Sequence, residues 1–140
     1  MDENYLSLPH PKSTGRELFN GKWLEEKLSK LQEPPAAVDV QASLLEYTAV
    51  TITQAISKEL TAEEIYVCGG GAHNKILIDR LQELLPAASV ATTRELGFNP
   101  DQVEAVAFAW MAKQTCEGNK IATGQLTGAS EPVILGAIYQ

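Results

Sequence analysis

Apolar positions become periodic at residue 45. Leu45, Ala49, Ile52, Ile56 and Leu60 recur at helical spacing and form one stripe, with Lys58 and Glu59 off it. Asp39 stands ahead of the run in the place of an N-cap. A β-α-β unit is predicted next. Glu64–Cys68 is its first strand, Gly69-Gly70-Gly71 the break, and Asn74–Leu85 the helix, with Leu77, Leu81 and Leu84 on one face. Pro86 stops that helix, and Ser89–Thr92 is the second strand, parallel to the first by the right-handed crossover rule. The last helix has the clearest start. Asn99 is its N-cap, Pro100 its first residue, and Gln102 completes an Asn-x-x-Gln box. It runs to about Cys116, with Gly118 beyond it.

The flanks are less regular. Residues 1–37 form an irregular lead-in punctuated by Pro9, Pro11, Pro34 and Pro35. Within it, Thr14-Gly15-Arg16-Glu17 has the spacing of a capping box, and a short helix is predicted over Trp23–Gln32. Residues 119–130 are a Gly/Thr/Ser loop. Val133–Ile138 is a short apolar tail that suits a strand or a helix, and Gly136 weakens both. Helices and strands alternate over 38–140, which predicts an α/β lobe. Only two or three strands are visible, too few to cover the helices, so the chain reads as part of a larger α/β domain.

Composition narrows the function. At 140 residues, 44% of them hydrophobic, the chain is one domain's worth of sequence. The net charge of −7 argues against a phosphate-neutralising nucleic-acid surface. No apolar run approaches the ~18 residues of a membrane span. The opening residues, acidic and polar, do not make a signal peptide. Two distant cysteines outside any Cys-x-x-Cys pair argue against a zinc site or a disulfide scaffold. Cys68 is expected to be a buried small residue at a strand end, and a reducing cytoplasm is the expected setting.

The sharpest chemical feature is Cys68-Gly69-Gly70-Gly71-Ala72-His73-Asn74, between strand and helix. Three glycines remove every Cβ from the turn. A ligand can then approach the backbone, and the helix start offers N–H groups to an anion. A tight turn with no ligand needs only one glycine, so a phosphate or nucleoside site is favoured. A dinucleotide fingerprint fits poorly: Asn74 stands where its last glycine belongs, although Glu95 could imitate the ribose-binding acid. No Gly-Lys-Ser/Thr follows, which excludes a Walker A loop.

Glu104 is the only charge in Val103–Ala112. On a helical wheel it lies beside Phe108 and Met111 and opposite Lys113, so it is expected to point toward the core or a cleft. A first-turn Glu favoured by the helix dipole is the plainer explanation of its position along the helix. Lys12 and Arg16 could meet a phosphate or carboxylate, or simply lie in a solvated loop. His10 and His73 fall outside any metal spacing, and Trp23 and Trp110 suit a core or an interface.

Val67-Cys68-Gly69-Gly70-Gly71-Ala72-x-Asn74 resembles the adenosine-binding motif of the sugar kinase/actin-like ATPase superfamily. Four further stretches resemble the C-terminal part of the anhydro-N-acetylmuramic acid kinase family: Leu8–Glu17, Asp39-Val40-Gln41-Ala42, Glu104–Trp110, and Thr127-Gly128-Ala129-Ser130 with the tail Ile134–Tyr139. They occur in the family's order and span nearly the whole chain. The resemblance implies an actin-like, ribonuclease H-like kinase lobe and a cytoplasmic role in cell-wall recycling. The implied reaction is ATP-dependent phosphorylation with hydrolytic opening of the 1,6-anhydro ring of anhydro-N-acetylmuramic acid. It places Gly69, Gly70, Gly71 and Asn74 at the nucleotide, and Glu104, Lys12 and Arg16 on the sugar side. The family's Ser-Gly-Thr-Ser phosphate loop and the Asp of its Asp-Thr-Gly-Pro-Gly stretch, the catalytic base, are absent from this sequence. Catalytic groups and most Mg²⁺ contacts are therefore expected in a missing N-terminal half, and the chain alone is expected to be inactive. A non-catalytic nucleotide-binding module and a fragment that homodimerises through bare apolar surface are the alternatives.

Overall fold

The computed structural model describes residues 3–59 and 62–139, so Leu60, the last member of the expected stripe, lies outside them. Six helices occur among these residues: α1 (Asn4–Ser7), α2 (Gly21–Leu28), α3 (Ala37–Glu59), α4 (Lys75–Leu84), α5 (Val103–Cys116) and α6 (Gly124–Thr127). Two strands, β1 (Glu64–Val67) and β2 (Ser89–Thr92), pair in parallel with Glu64 opposite Ser89 and Val67 opposite Thr92. The predicted β-α-β unit is therefore present.

Its core is small. Ala49 of α3 meets Leu77 and Leu81 of α4, with Leu45, Val67, Leu84 and Val90 packed around them. Leu81 is only 2% exposed. The α3 stripe is shifted from the expected one. Ile52 is 37% exposed, and Thr53 is buried in its place. The Thr53 hydroxyl donates to the Val50 carbonyl at 3.0 Å, which lets a polar residue take an inward position at little cost. Across the same helix pair, Arg80 Nε and Nη2 reach both carboxylate oxygens of Glu46 at 2.7 Å. Gln82 ties α4 to β2, donating to the Ala88 carbonyl at 2.8 Å and accepting from the Val90 N–H at 2.9 Å.

A second cluster fixes the lead-in. Phe19 meets Tyr5, Trp23 and Tyr47 edge-on, and Trp23 stacks on Tyr47 with ring centroids 5.9 Å apart. The Trp23 indole also donates to Glu3 at 2.8 Å. Drawing Phe19 into this cluster prevents the predicted capping box at Thr14. Glu17 instead accepts from the Gly15 N–H at 2.7 Å, and α2 starts later, with Asn20 accepting from the Trp23 N–H at 3.0 Å. Asp39 is likewise not a cap. The helix begins two residues before it, and Asp39 sits in the first turn, where its charge suits the dipole.

The C-terminal third is open. Helix α5 buries no residue, and Phe108 and Trp110 are 63% and 51% exposed. Trp110 is therefore outside any core of this chain. Cys68, expected inside, is also exposed, because β1 ends at Val67 and the chain turns outward at Gly69. The tail forms neither a strand nor a helix. It makes one antiparallel bridge, Ile121 to Val133, and receives the Thr115 hydroxyl at the Leu135 carbonyl. The total accessible surface is 10687 Å², against roughly 7100 Å² for a compact monomer of this mass. The difference, on the order of 3600 Å², exceeds one partner's share of a standard protein interface. No helix among the described residues is long and apolar enough to cross a membrane.

Candidate functional site

Parallel strands direct their carboxyl ends to one edge, and that is where ligands of open α/β sheets collect. Here that edge carries the glycine turn after β1 and a 3₁₀ turn, Thr93–Leu96, after β2. Gly69 adopts φ 69° and ψ −165°, a region essentially reserved for glycine. It throws the chain into a 3₁₀ turn, Gly70–His73, from which α4 starts. Asn74 caps α4, accepting from the Leu77 N–H at 3.2 Å. Its role in the fold is thus an N-cap, whatever else it touches.

The turn is open. A Cβ placed at Gly69 or Gly70 would meet nothing within 4 Å, and one at Gly71 would meet only Leu77, at 3.8 Å. Among the described residues no acceptor meets the N–H groups of Gly70 and Gly71. Two unengaged donors on a side-chain-free turn are what an anion or a ribose hydroxyl requires. On β1, the Tyr66 phenol is pushed above its ordinary value, by burial first and then by the Glu64 carboxylate at the amino end of the strand, to which it donates at 3.2 Å. The Thr93 hydroxyl, just past β2, is buried without a hydrogen-bond partner among the described residues. Glu95 lies exposed in the same 3₁₀ turn.

The start of α5 joins this edge. The Gly69 N–H donates to the Pro100 carbonyl at 2.9 Å, and His73 Nε2 lies 2.6 Å from Asp101 Oδ1. Pro100 is buried at this junction, and Asn99 accepts from the Asp101 N–H at 3.1 Å. The cap predicted at Asn99 is present, though it closes a 3₁₀ turn (Pro100–Gln102) ahead of α5. Glu104 follows four residues after Pro100, roughly 7 Å along the axis of the 3₁₀ turn and the start of α5. Its side chain is exposed and does not face the core, and no residue of α5 is fully buried among the described residues.

Lys12 and Arg16 lie away from the glycine turn, on the lead-in. Lys12 is half-buried, and its ammonium donates to the Leu6 carbonyl at 2.8 Å and to the Tyr5 carbonyl at 3.2 Å. That charge is committed to the end of α1. Arg16 is exposed. Pro11 lies 3.5 Å from where a Cβ of Gly128 would stand, so the Leu8–Glu17 and Thr127–Ser130 stretches meet. No group of three His, Cys, Asp or Glu side chains among the described residues could hold a metal ion. Spacing marks Asn99–Asp101 only as a helix start; the contact of Pro100 and Asp101 with the glycine turn spans some thirty positions and leaves no local signal.

A family model described as anhydro-N-acetylmuramic acid kinase matches residues 1–140. The chain is similar to proteins of that name from three bacteria. It is 50% identical to the one from Photobacterium profundum over 147 residues, covering 99% of this chain and 39% of the relative. The Pseudomonas fluorescens protein is 53% identical, with 99% and 38% covered. The Thiobacillus denitrificans protein is 48% identical, with 96% and 37% covered. The chain thus spans under two fifths of the length of these curated relatives.

Proposed function

Because this chain belongs to the anhydro-N-acetylmuramic acid kinase family, we propose that it supplies the nucleoside side of the ATP site and part of the sugar cleft of such a kinase. The observation that carries the reading is the glycine turn. It stands at the carboxyl edge of two parallel strands, with open space over Gly69 and Gly70 and two N–H groups without acceptors among the described residues. Gly69, Gly70 and Gly71 border the nucleotide, and Asn74 shapes the turn by capping α4. On this reading residues 38–140 are a piece of an actin-like kinase lobe.

Glu104 and Arg16 are the sugar-side groups: the carboxylate accepts from a hydroxyl or amide, and the guanidinium faces the substrate's carboxylate. Lys12 serves the sugar side indirectly, by holding the segment that carries Arg16. The substrate is anhydro-N-acetylmuramic acid, phosphorylated by ATP with opening of the anhydro ring, in the cytoplasm. The phosphate loop, the base and the groups around Mg²⁺ belong to sequence outside this chain, since phosphoryl transfer needs all of them positioned together. The isolated chain should therefore bind nucleotide weakly and turn over nothing.

A chimera tests this. The matching part of the Photobacterium profundum protein is replaced by these 140 residues. The folded chimera should phosphorylate the anhydro sugar with ATP, and Glu104→Ala should cut kcat/KM by about tenfold or more, ~1.4 kcal/mol, without moving the thermal midpoint. A folded but inactive chimera would sink the proposal, as would turnover by the isolated chain.

A further inference from the structure

Helix α5 buries none of its own residues, yet it carries Glu104. The tail meets α5 at its far end, through Thr115 and Leu135, so the start of the helix, where Glu104 lies, must be oriented by another contact. The two turns meet at two points, the Gly69 N–H on the Pro100 carbonyl at 2.9 Å and His73 Nε2 with Asp101 Oδ1 at 2.6 Å, and Pro100 itself is buried. We propose that His73 and Asp101 are positioning residues, a clamp that fixes the glycine turn against the start of α5 and so sets the nucleotide turn relative to Glu104. This rests on the functional reading above for its purpose, though not for its geometry.

The energetics favour positioning over stability. Both side chains are more than half exposed, and an exposed polar pair of this kind adds little to folding. The pair nevertheless joins segments 28 residues apart, beside the hydrogen bond that ties Gly69 to Pro100. Each partner is held on its own side. Asp101 follows the Asn99 cap and the fixed Pro100 ring, and His73 ends the 3₁₀ turn that Asn74 closes. Two rigid turns joined by a short hydrogen bond can transmit a position where two mobile side chains could not.

The test uses the 140-residue chain. Amide hydrogen exchange at Gly69 reports the junction directly and needs no ligand. Asp101→Ala should speed exchange at Gly69 about fivefold or more, while β1 and the middle of α4 keep their protection. Asp101→Asn keeps an acceptor oxygen and should restore most of the protection. An ATP titration is run alongside, and Asp101→Ala should raise Kd several-fold at an unchanged thermal midpoint. Unchanged exchange at Gly69 would overturn the clamp, as would a uniform acceleration through β1 and α4. If the wild-type chain binds no ATP, the nucleotide reading fails, and the exchange result still decides the clamp.

Discussion

Replacing Gly69 and Gly70 one at a time by alanine should separate what the turn does for the fold from what it does for a ligand. At Gly69 the backbone sits at φ 69° and ψ −165°, which a residue with a Cβ rarely adopts. A Cβ there meets nothing within 4 Å, so the cost is backbone strain alone, about 1–3 kcal/mol. Gly70 has equal room and no positive φ. Its methyl strains nothing and removes freedom from the unfolded chain, a gain of about 0.4–1 kcal/mol. The stabilities should therefore order as Gly70→Ala, then wild type, then Gly69→Ala. The full spread is on the order of 1–4 kcal/mol in urea unfolding.

If a nucleotide lies over the turn, the order changes for binding. The Gly70 methyl occupies the space the ligand needs and should weaken ATP about tenfold in a variant at least as stable as wild type. Equal stability of Gly69→Ala and wild type would refute the strained turn. Unchanged ATP affinity in Gly70→Ala would show that the open space is not used.

Three further outcomes are expected. Leu81→Ala removes the most buried large side chain and should cost roughly 3–5 kcal/mol, seen as a lower urea midpoint; under about 1 kcal/mol would mean the α3–α4 contact is not the core. Glu46 is held below its ordinary value of 4.5, chiefly by the Arg80 hydrogen bonds, so its contribution is complete above about pH 4.5 and is lost as pH falls through the lower folded value. Acid titration of stability should flatten in that window in Arg80→Met, and an identical profile would remove the pair from the account. Phe108→Gln with Trp110→Gln should lower hydrophobic-dye binding and self-association while moving stability by less than about 0.5 kcal/mol per site, because both rings are more than half exposed; a large loss of stability would mean α5 packs on the body.

What is legible in the sequence is local. Ser89–Thr92, the glycine break and the Asn99 cap depend on spacing and turn chemistry within a few residues, and the structure has them; Asn74, expected as the first helical residue, is instead the cap of α4. Cys68 departs from its expected place because an apolar strand predicts continuation inward, whereas a glycine at φ 69° redirects the chain. Thr14 and Glu17 have the spacing of a cap without forming one, because Phe19 has a better partner in Trp23, which no local rule counts. The apolar wheel neighbours of Glu104 predict an inward direction. Phe108, one of those neighbours, is itself bare, since the surface that would cover it is not supplied by these residues. The Gly69–Pro100 and His73–Asp101 contacts join distant turns and are invisible to periodicity.

The proposed function requires that nucleotide contact the glycine turn. It is tested most directly by titrating ATP into the isotopically labelled 140-residue chain and following backbone amide shifts. The expected result is saturable shifts, with Kd on the order of mM, about −4 kcal/mol, largest at Gly69, Gly70, Gly71 and Asn74. Shifts largest elsewhere, for example in the groove lined by Trp23, Leu28 and Leu44 between α2 and α3, would contradict it.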